Sequence, residues 1–425
     1  MSNSSKNIKS TAHSDSFDDI GKTFSSNIDS PYPIFKKMRH ENPVMHGDIL
    51  EKFGIPSRAS AADGSRPVVS LFKYRDIMHV LRNPAIFTSG LLLEGLGTFL
   101  GRIITGMDGN EHRRTRTLLQ PVFSPSAMKE WDSTIIRPTL DSMLDQLAQR
   151  GSADLLHDFA LHFPLRIIYS ILGLPKDQVD IEQFSTWALA ILAGPQVDPV
   201  KAAETRRTAF KAAQDLYDHV LPVVAARRAA GSEGADMIGQ LLRAQTDGKG
   251  LDDSEIASFI RMLLPAAAET TTRSFANMLV LTLRDPALMA KVRADRSLIP
   301  ALINETMRFE TPIVFLARQA AVDTEIGGVA IPAGTGISLI TGSGNRDEDV
   351  FDRADEFDLT RKATPAFGFG YGVHMCIGMV VAKMEMECAL NALLDRFATL
   401  EFDGPVPAIT GAHFRSPTSL PVRWS

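Results

Sequence analysis

Residues 369–378 read FGYGVHMCIG, and a pattern typical of a helix follows from Ile377 to Phe397. The glycines of this stretch allow a tight backbone path and the close approach of a bulky group. Cys376 lies where the loop meets the helix, so the helix N-terminus and nearby N–H groups are expected to lower its pKa and favour the thiolate. Thiolate sulfur is a suitable ligand for iron. Taken alone, however, the cysteine is more simply interpreted as a buried structural thiol.

The ten residues together resemble the haem-binding loop of the cytochrome P450 family, F-G-x-G-x-H-x-C-x-G, with every fixed position present. The resemblance covers roughly residues 30 to 425 and implies a mostly α fold with a small β region, in a single large haem-binding domain. It implies that Cys376 is the axial ligand of the iron of haem b and that His374 contacts a haem propionate. Phe369 and Gly370 are then expected to contact the cofactor. A thiolate ligand favours O–O cleavage in this family.

A zinc site is a poorer interpretation of the same residues. His374 and Cys376 are two positions apart, Cys388 is twelve further on, and no C-x-x-C pair is present to complete a tetrahedral site. Cys388 lies inside the final helical pattern and is assigned to the core.

The segment ETMR, 305–308, places Glu305 and Arg308 on one helix face. Such pairs are commonplace on solvated helices. This one precedes the cysteine loop by about 70 residues, as the E-x-x-R motif does in the family, and Arg361 matches the family's third partner. The resemblance therefore implies a structural charge network that braces the loop.

His112 and Arg116 are four residues apart and so share a helix face if this segment is helical. On their own they suit a solvated basic surface as well as an anion site. The family has H-x-x-x-R at this place, and Arg318 matches a further arginine of the family. The resemblance implies that all three bind the haem propionates, because buried carboxylates need charged partners.

The segment MLLPAAAETTT, 262–272, has Glu269 as its only charged residue. A lone acid in such surroundings is either turned to solvent or functional. The segment resembles the oxygen-binding groove of the family, A-G-x-[DE]-T, with Ala266 at the alanine, Glu269 at the acid and Thr270 at the alcohol. By that resemblance Glu269 and Thr270 are the catalytic pair that relays protons to dioxygen while the O–O bond breaks.

Several positions depart from the family pattern. Ala267 stands where glycine is usual, and Pro265 falls inside the helix, where it invites a kink that would open the groove. Ala366 replaces a histidine that often precedes the cysteine loop, and Lys383 stands where arginine is common. These departures affect the expected geometry of the oxygen groove and leave the iron ligand unchanged.

Apolar stretches occur where family members line the substrate pocket, and we expect a hydrophobic substrate. Apolar stretches of this kind more often belong to the hydrophobic core than to a pocket. The candidate pocket residues are Leu92, Leu96, Phe99, Ile313 and Val314.

The composition is that of a globular protein, with 44% hydrophobic residues, 22% charged residues and a net charge of -5. It has no basic footprint for nucleic acid, no apolar run of membrane-spanning length and no secretory signal, so we expect a cytoplasmic monomer. We predict a polar flexible tail over residues 1–28 and one cytochrome P450 domain over residues 29–425. The small, polar stretch at 54–67 is predicted to be a surface loop.

Hydrophobic periodicity predicts several helices, and the alternation and turn signals of Ala317–Ile340 predict strands, as does LPVRW near the end. The predicted helices are Tyr74–Arg82, Asp154–Leu172, Lys201–Ala230, Asp253–Leu283 and Leu298–Phe309.

The resemblance implies a monooxygenase that inserts one atom of O2 into a hydrophobic small molecule. Because 425 residues leave no room for a reductase domain as well, the electrons are expected from a separate ferredoxin and ferredoxin reductase. Arg113, Arg114 and Lys383 would attract an acidic ferredoxin, although exposed charges are more often merely solvated. A peroxide-driven haem-thiolate enzyme and a haem-based sensor or binding protein are the alternatives.

Overall fold

The structure is a computed structural model. It describes residues 12–25, 28–55, 57–61, 63–174, 181–194, 202–231 and 234–425. Within that part of the chain, helices account for most of the ordered elements, and the strands form one mixed sheet and smaller antiparallel sheets. The expected mostly α fold with a small β region is therefore confirmed.

The helices are distributed along the described chain from end to end. They are α1 (Ala12–Ser25), α2 (Tyr32–Glu41), α3 (Tyr74–Arg82), α4 (Leu91–Glu94), α5 (Gly97–Leu100), α6 (Gly109–Leu119), α7 (Pro125–Trp131), α8 (Arg137–Ala148), α9 (Phe163–Leu172), α10 (Ile181–Ala193), α11 (Ala202–Ala229), α12 (Met237–Arg243), α13 (Asp253–Leu283), α14 (Pro286–Ala294), α15 (Ile299–Phe309), α16 (Thr341–Gly344) and α17 (Met379–Arg396).

The strands pair into sheets of different size. They are β1 (Val44–His46), β2 (Val68–Leu71), β3 (Phe87–Thr88), β4 (Ser152–Asp154), β5 (Gln245–Thr246), β6 (Lys249–Gly250), β7 (Leu316–Ala320), β8 (Thr324–Ile326), β9 (Val329–Ile331), β10 (Gly336–Leu339), β11 (Leu400–Phe402) and β12 (Pro421–Trp424). The five-stranded sheet has the order β1-β2-β10-β7-β3, in which only β2 and β10 are parallel. A three-stranded sheet, β11-β12-β4, and the pairs β5-β6 and β8-β9 complete the described strands.

The long helix α13 is the centre of the helical core. It begins with a capping box, in which the Asp252 side chain accepts from the Glu255 N–H and Glu255 accepts from the Asp252 N–H. Most of its residues are buried, and it packs against α9, α10, α11, α15 and α17. A helix that is apolar around its circumference must be covered on all sides, which places α13 in the interior.

The predicted helices at 74–82 and 253–283 have the predicted bounds, the helix predicted at 298–309 begins one residue later, and the one predicted at 201–230 ends one residue earlier, with residue 201 outside the described residues. The predicted helix at 154–172 is interrupted. There the chain forms β4, a π-helical segment at Leu156–Ala160 and then α9. Strand β4 pairs with β12 in an antiparallel arrangement, and sequence periodicity does not predict this pairing.

The first residues differ from the polar flexible tail that the sequence predicts. Helix α1 occupies Ala12–Ser25, and its Phe17 and Ile20 are 2% and 1% exposed. These two residues are three apart and so lie on one helix face, which packs on the body of the protein. Residues 1–11, 26 and 27 of the predicted tail lie outside the described residues.

The predicted surface loop at 54–67 also differs from expectation, because part of it is buried. Ala59 has no exposed surface and packs against Leu91 and Ala317. None of the described helices is both long enough and apolar enough to cross a membrane.

Candidate active site

The cysteine loop has a backbone path that glycine makes possible. Gly370 and Gly372 have φ angles of 68° and 74°, in the left-handed region that other residues rarely adopt. A Cβ at Gly372 would lie 2.5 Å from the carbonyl oxygen of Leu81, so the loop also approaches α3 too closely for a larger residue. The loop closes through the N–H of Cys376, which donates to the Phe369 carbonyl at 2.8 Å.

Protein atoms surround the Cys376 thiol on most sides, yet its side chain keeps accessible surface. Burial raises its pKa, while hydrogen bonds from the N–H groups of Gly378 and Met379 and the charge of Arg116 lower it. The net shift is upward, so the predicted lowering of this pKa is wrong in direction: desolvation of the thiolate outweighs the groups that favour it. The sequence indicated the groups that stabilise the Cys376 thiolate but did not indicate its desolvation.

Cys388 has the core position that the sequence predicts. It is 6% exposed, and its Sγ donates to Oδ1 of Asp132 at 3.2 Å. Burial and the neighbouring carboxylate raise its pKa to about 12. Among the described residues, no group of three or more His, Cys, Asp and Glu side chains is arranged to hold a metal ion.

A cluster of basic side chains lies next to the cysteine loop. The rings of His112 and His374 are 4.1 Å apart between centroids, and Nε2 of His374 lies 3.3 Å from Oδ1 of Asp108. Arg318 is 6% exposed and donates to the Ala317 carbonyl at 2.7 Å. Arg116, on the same helix as His112, is partly buried and close enough to act on Cys376.

This basic cluster has more positive than negative charge. Burial, His374 and Arg116 lower the pKa of His112 to about 4, and burial lowers that of Arg318 to about 10 in spite of the Asp108 charge. Nε2 of His112 is buried with no hydrogen-bond partner among the described residues. Buried cations and an unsatisfied imidazole nitrogen suit a ligand that carries carboxylates.

The predicted charge network is assembled on α15. Glu305 accepts from Arg308 at 2.7 and 2.8 Å and from Nε of Arg361 at 3.2 Å. Arg308 also donates to the carbonyls of Asn345, Ala354 and Glu356, at 2.8 to 2.9 Å. A buried carboxylate with two guanidinium partners fixes the segment that leads into the cysteine loop.

The groove segment of α13 has one open face. Ala266, Ala267 and Thr270 keep accessible surface, whereas the residues around them are buried. The hydroxyl of Thr270 donates to the Ala266 carbonyl at 2.9 Å. The chain is α-helical on both sides of Pro265 and through Thr270, so the proline does not end the helix.

Glu269 does not lie on that open face. It is 2% exposed and accepts two hydrogen bonds from Arg273, at 2.7 and 3.1 Å. Arg273 in turn donates to Ser416 at 2.7 Å and lies over the Phe17 ring at 4.3 Å. The sequence analysis missed Arg273, although its i,i+4 spacing from Glu269 was a usable signal.

The candidate pocket residues separate into two groups. Leu92, Leu96 and Ile313 are partly exposed. Val314 is wholly buried in the cluster around Phe35. Phe99 is 6% exposed, and its ring centroid lies 4.7 Å from that of the exposed Phe210.

The cytochrome P450 family model matches residues 59–411. The chain belongs to the cytochrome P450 family. Among its relatives is a cyclomarin C epoxidase of Salinispora arenicola, 34% identical over 91% of this chain and 94% of the relative. An erythromycin C-12 hydroxylase of Saccharopolyspora erythraea is also 34% identical, over 78% and 83% of the two chains.

Solved structures agree with this assignment. CYP109E1 from Bacillus megaterium, solved in complex with corticosterone, has a TM-score of 0.80 and 26% identity, and the match covers 93% of this chain and 98% of that one. P450BioI, solved with an acyl carrier protein that carries hexadec-9Z-enoic acid, has a TM-score of 0.80 at 25% identity, with 98% and 100% coverage. The P450 fold, the P450 monooxygenase class and the haem b cofactor are thereby confirmed.

Proposed function

We propose that this cytochrome P450 inserts one atom of O2 into a hydrophobic small molecule, with electrons from a separate ferredoxin and its reductase. The observation that carries the proposal is the Cys376 thiol, which keeps accessible surface beside Arg116 and the backbone N–H groups of Gly378 and Met379. The relatives named as an epoxidase and a hydroxylase support oxygen insertion.

The residues around Cys376 fit haem b, whose iron supplies the activation of dioxygen when the cofactor is bound. Cys376 would ligate the iron, and Phe369 and Gly370 would pack on the cofactor. His112, Arg116, Arg318 and His374 would hold the propionates, which gives the unsatisfied Nε2 of His112 a partner. Arg116 and Arg318 remain charged over the working pH range and so orient the cofactor, whereas His112, with its pKa lowered to about 4, would contribute a neutral imidazole.

On α13, Thr270 is the side chain placed to hold a proton in the groove. Its hydroxyl donates to the Ala266 carbonyl and so has oxygen lone pairs available to a donor in the pocket. Glu269 would pass protons to this site only after its carboxylate leaves Arg273 or through bridging water. Proton delivery from Glu269 therefore requires that this charged pair separates or that water bridges the carboxylate and Thr270.

The exposed Arg113 supports the proposed redox partner. It lies on α6, which also carries His112 and Arg116, so an acidic protein bound there is close to the cofactor site. Arg114 is already engaged, because it donates to Glu255 at 2.8 Å and to the Gly250 carbonyl at 2.9 Å. Lys383 is half-buried and lies over the Phe369 ring at 5.4 Å. The surface proposed to attract a ferredoxin consequently has fewer exposed, unengaged basic side chains than the sequence suggests.

Reconstitution tests the proposed function. The purified holoenzyme should give the ferrous carbon-monoxide spectrum of a thiolate-bound haem, and it should oxidise a substrate from a terpenoid, fatty-acid, steroid and aromatic screen with ferredoxin, reductase and O2. Turnover with peroxide alone would indicate the peroxide-driven alternative. Efficient reduction with no oxidised product from any class would indicate a sensor or binding protein.

The partner is tested separately by Arg113→Glu. At low salt this change should lower ferredoxin-supported turnover several-fold, because rim charges act on association rates. Arg207→Glu, at an exposed position on α11, is the control and should leave turnover unchanged. Equal turnover of wild type and Arg113→Glu at low salt would reject docking at this surface.

A further inference from the structure

Arg273 of α13 is held by contacts from separate parts of the chain. On its own helix it donates two hydrogen bonds to Glu269, at 2.7 and 3.1 Å. Its Nη1 donates to the Ser416 hydroxyl at 2.7 Å, and its Cζ lies 5.2 Å from the centroid of the Phe414 ring. From α1, the Phe17 ring lies over the guanidinium, with its centroid 4.3 Å from the same Cζ. The Arg273 side chain is only 3% exposed, so these contacts replace water around it.

The docking of α1 brings the Phe17 ring to this position. Phe17 is 2% exposed and belongs to the main hydrophobic cluster of the protein. Helix α1 packs against α10, and Oδ1 of Asp18 lies 3.7 Å from Nε2 of His157. Gly21 is one turn after Phe17, and a Cβ there would lie 3.9 Å from Nη2 of Arg273. Successive turns of α1 therefore face the guanidinium.

The Phe17 ring stabilises the guanidinium in its place beside Glu269. An aromatic face attracts a cation through its quadrupole, and the attraction is largest where both groups are removed from water, as they are here. Because Arg273 is the hydrogen-bond partner of Glu269, a contact that holds Arg273 also keeps the carboxylate paired. Glu269 directly precedes Thr270, which keeps accessible surface in the groove. Helix α1 thus acts on the groove through Arg273 and Glu269.

Ile20 provides a comparison within α1. It is 1% exposed and belongs to the same hydrophobic cluster as Phe17. Its side chain has no aromatic face with which to hold a cation. Changes at Ile20 and at Phe17 both weaken the packing of α1, but only a change at Phe17 takes a ring away from Arg273.

We propose that Phe17 is a positioning residue for proton delivery, which holds Arg273 against Glu269 and so limits how often this acid can serve the groove. The inference rests on the proposed function and extends it to the amino-terminal helix. Once separated from Arg273, the Glu269 carboxylate takes up a solvent proton, passes it towards Thr270 and is again a carboxylate. A weaker hold on Arg273 makes this separation more frequent.

The solvent isotope effect on product formation tests this role in the holoenzyme. The rate is measured in ordinary and in heavy water with saturating reduced ferredoxin, and wild type should be slower in heavy water. Phe17→Leu keeps an apolar side chain without the ring, so separation of the pair should become roughly threefold to tenfold more frequent. Product formation should then accelerate by up to that factor, with a smaller isotope effect. Phe17→Tyr keeps the ring and should retain the wild-type isotope effect.

Hydrogen exchange of the α1 amides separates positioning from folding. Phe17→Leu and Ile20→Val should both make α1 exchange several-fold faster, because each weakens buried packing. Only Phe17→Leu should change the isotope effect. In a Glu269→Gln background, Phe17→Leu should have no further effect on product formation, since the acid through which it acts is gone.

Several outcomes would overturn the proposal. They are a wild type without an isotope effect, an equal change in Ile20→Val, and a further effect of Phe17→Leu in the Glu269→Gln background. A wild type that oxidises no substrate with ferredoxin and O2 contradicts the proposed function instead. Hydrogen exchange still tests the contact in that case, because Arg273→Lys loses the planar group that stacks on Phe17 and should speed α1 exchange. Unchanged exchange would reject the contact.

Discussion

The cysteine loop and the groove of α13 differ in how far they follow the family pattern. Every fixed position of the loop is present, and Gly370 and Gly372 have the positive φ angles that the path requires. The groove departs from the pattern at Ala267 and Pro265, and its acid is held by Arg273. The path of the loop requires a backbone conformation that few residue types can adopt. The geometry of the groove depends on side-chain contacts, which different residues can make.

The largest expected effect is at the loop. Cys376→Ser removes the one thiolate that this site offers, so the carbon-monoxide spectrum should lose its thiolate character and oxygen-dependent turnover should fall below detection. Cys388→Ser is the matched control, because Cys388 lies in the core at Asp132, and its spectrum should be that of wild type. If the Cys376→Ser spectrum is identical to that of wild type, another residue is the iron ligand. The cysteine loop would then follow the family pattern no more closely in function than the groove of α13 does.

The next largest effect is expected in the groove. Thr270→Ala removes the hydroxyl that bonds to Ala266, and general acid–base catalysis of this kind is worth roughly 10² to 10⁴ in rate. We expect product formed per electron pair to fall sharply while haem content is unchanged. Thr270→Ser keeps the hydroxyl and should keep most of the product yield. If alanine and serine behave alike, the groove does not deliver protons through this side chain.

The charge network tests whether the loop is braced from α15. Arg308→Met leaves Glu305 buried with less than its full set of partners, which should lower the free energy of unfolding by about 3–5 kcal/mol. Denaturant titration of the holoenzyme measures the change. The exposed pair Arg423–Glu401, 3.0 Å apart, provides the control, and Arg423→Met should change stability by about 0–1 kcal/mol. Similar effects of both changes would contradict the bracing role.

The smallest effect is expected from restoring the family residue in the groove. Ala267→Gly should destabilise the protein by about 1 kcal/mol, since glycine is the poorer helix former. If the Ala267 methyl crowds the groove, the yield of product per electron pair should rise. Ala257→Gly, at a buried position of the same helix, should destabilise at least as much without raising that yield. An unchanged yield in Ala267→Gly would mean that the methyl does not restrict the oxygen groove.

Much of the fold was predictable because strong local signals agreed with the tertiary structure. The bounds of Tyr74–Arg82 and Asp253–Leu283 were predicted from apolar periodicity, and each helix is long or strongly patterned. Val314 and Phe99 show the limit of this signal, because both are expected in the pocket and both are buried. An apolar residue can line a pocket or fill a core, and periodicity is the same in both cases.

For the site, the sequence by itself determined the family, the cysteine loop and the residue types that surround the cofactor, because backbone conformation and ligand chemistry leave few substitutes for glycine, histidine, arginine and cysteine at these positions. The tertiary structure alone decided the direction of the Cys376 pKa shift, the burial of the Glu269–Arg273 pair and the hydrogen bond from Arg273 to Ser416. Those features depend on burial and on charges brought together from segments distant in the chain. No local pattern records how far such charges lie from one another or from water.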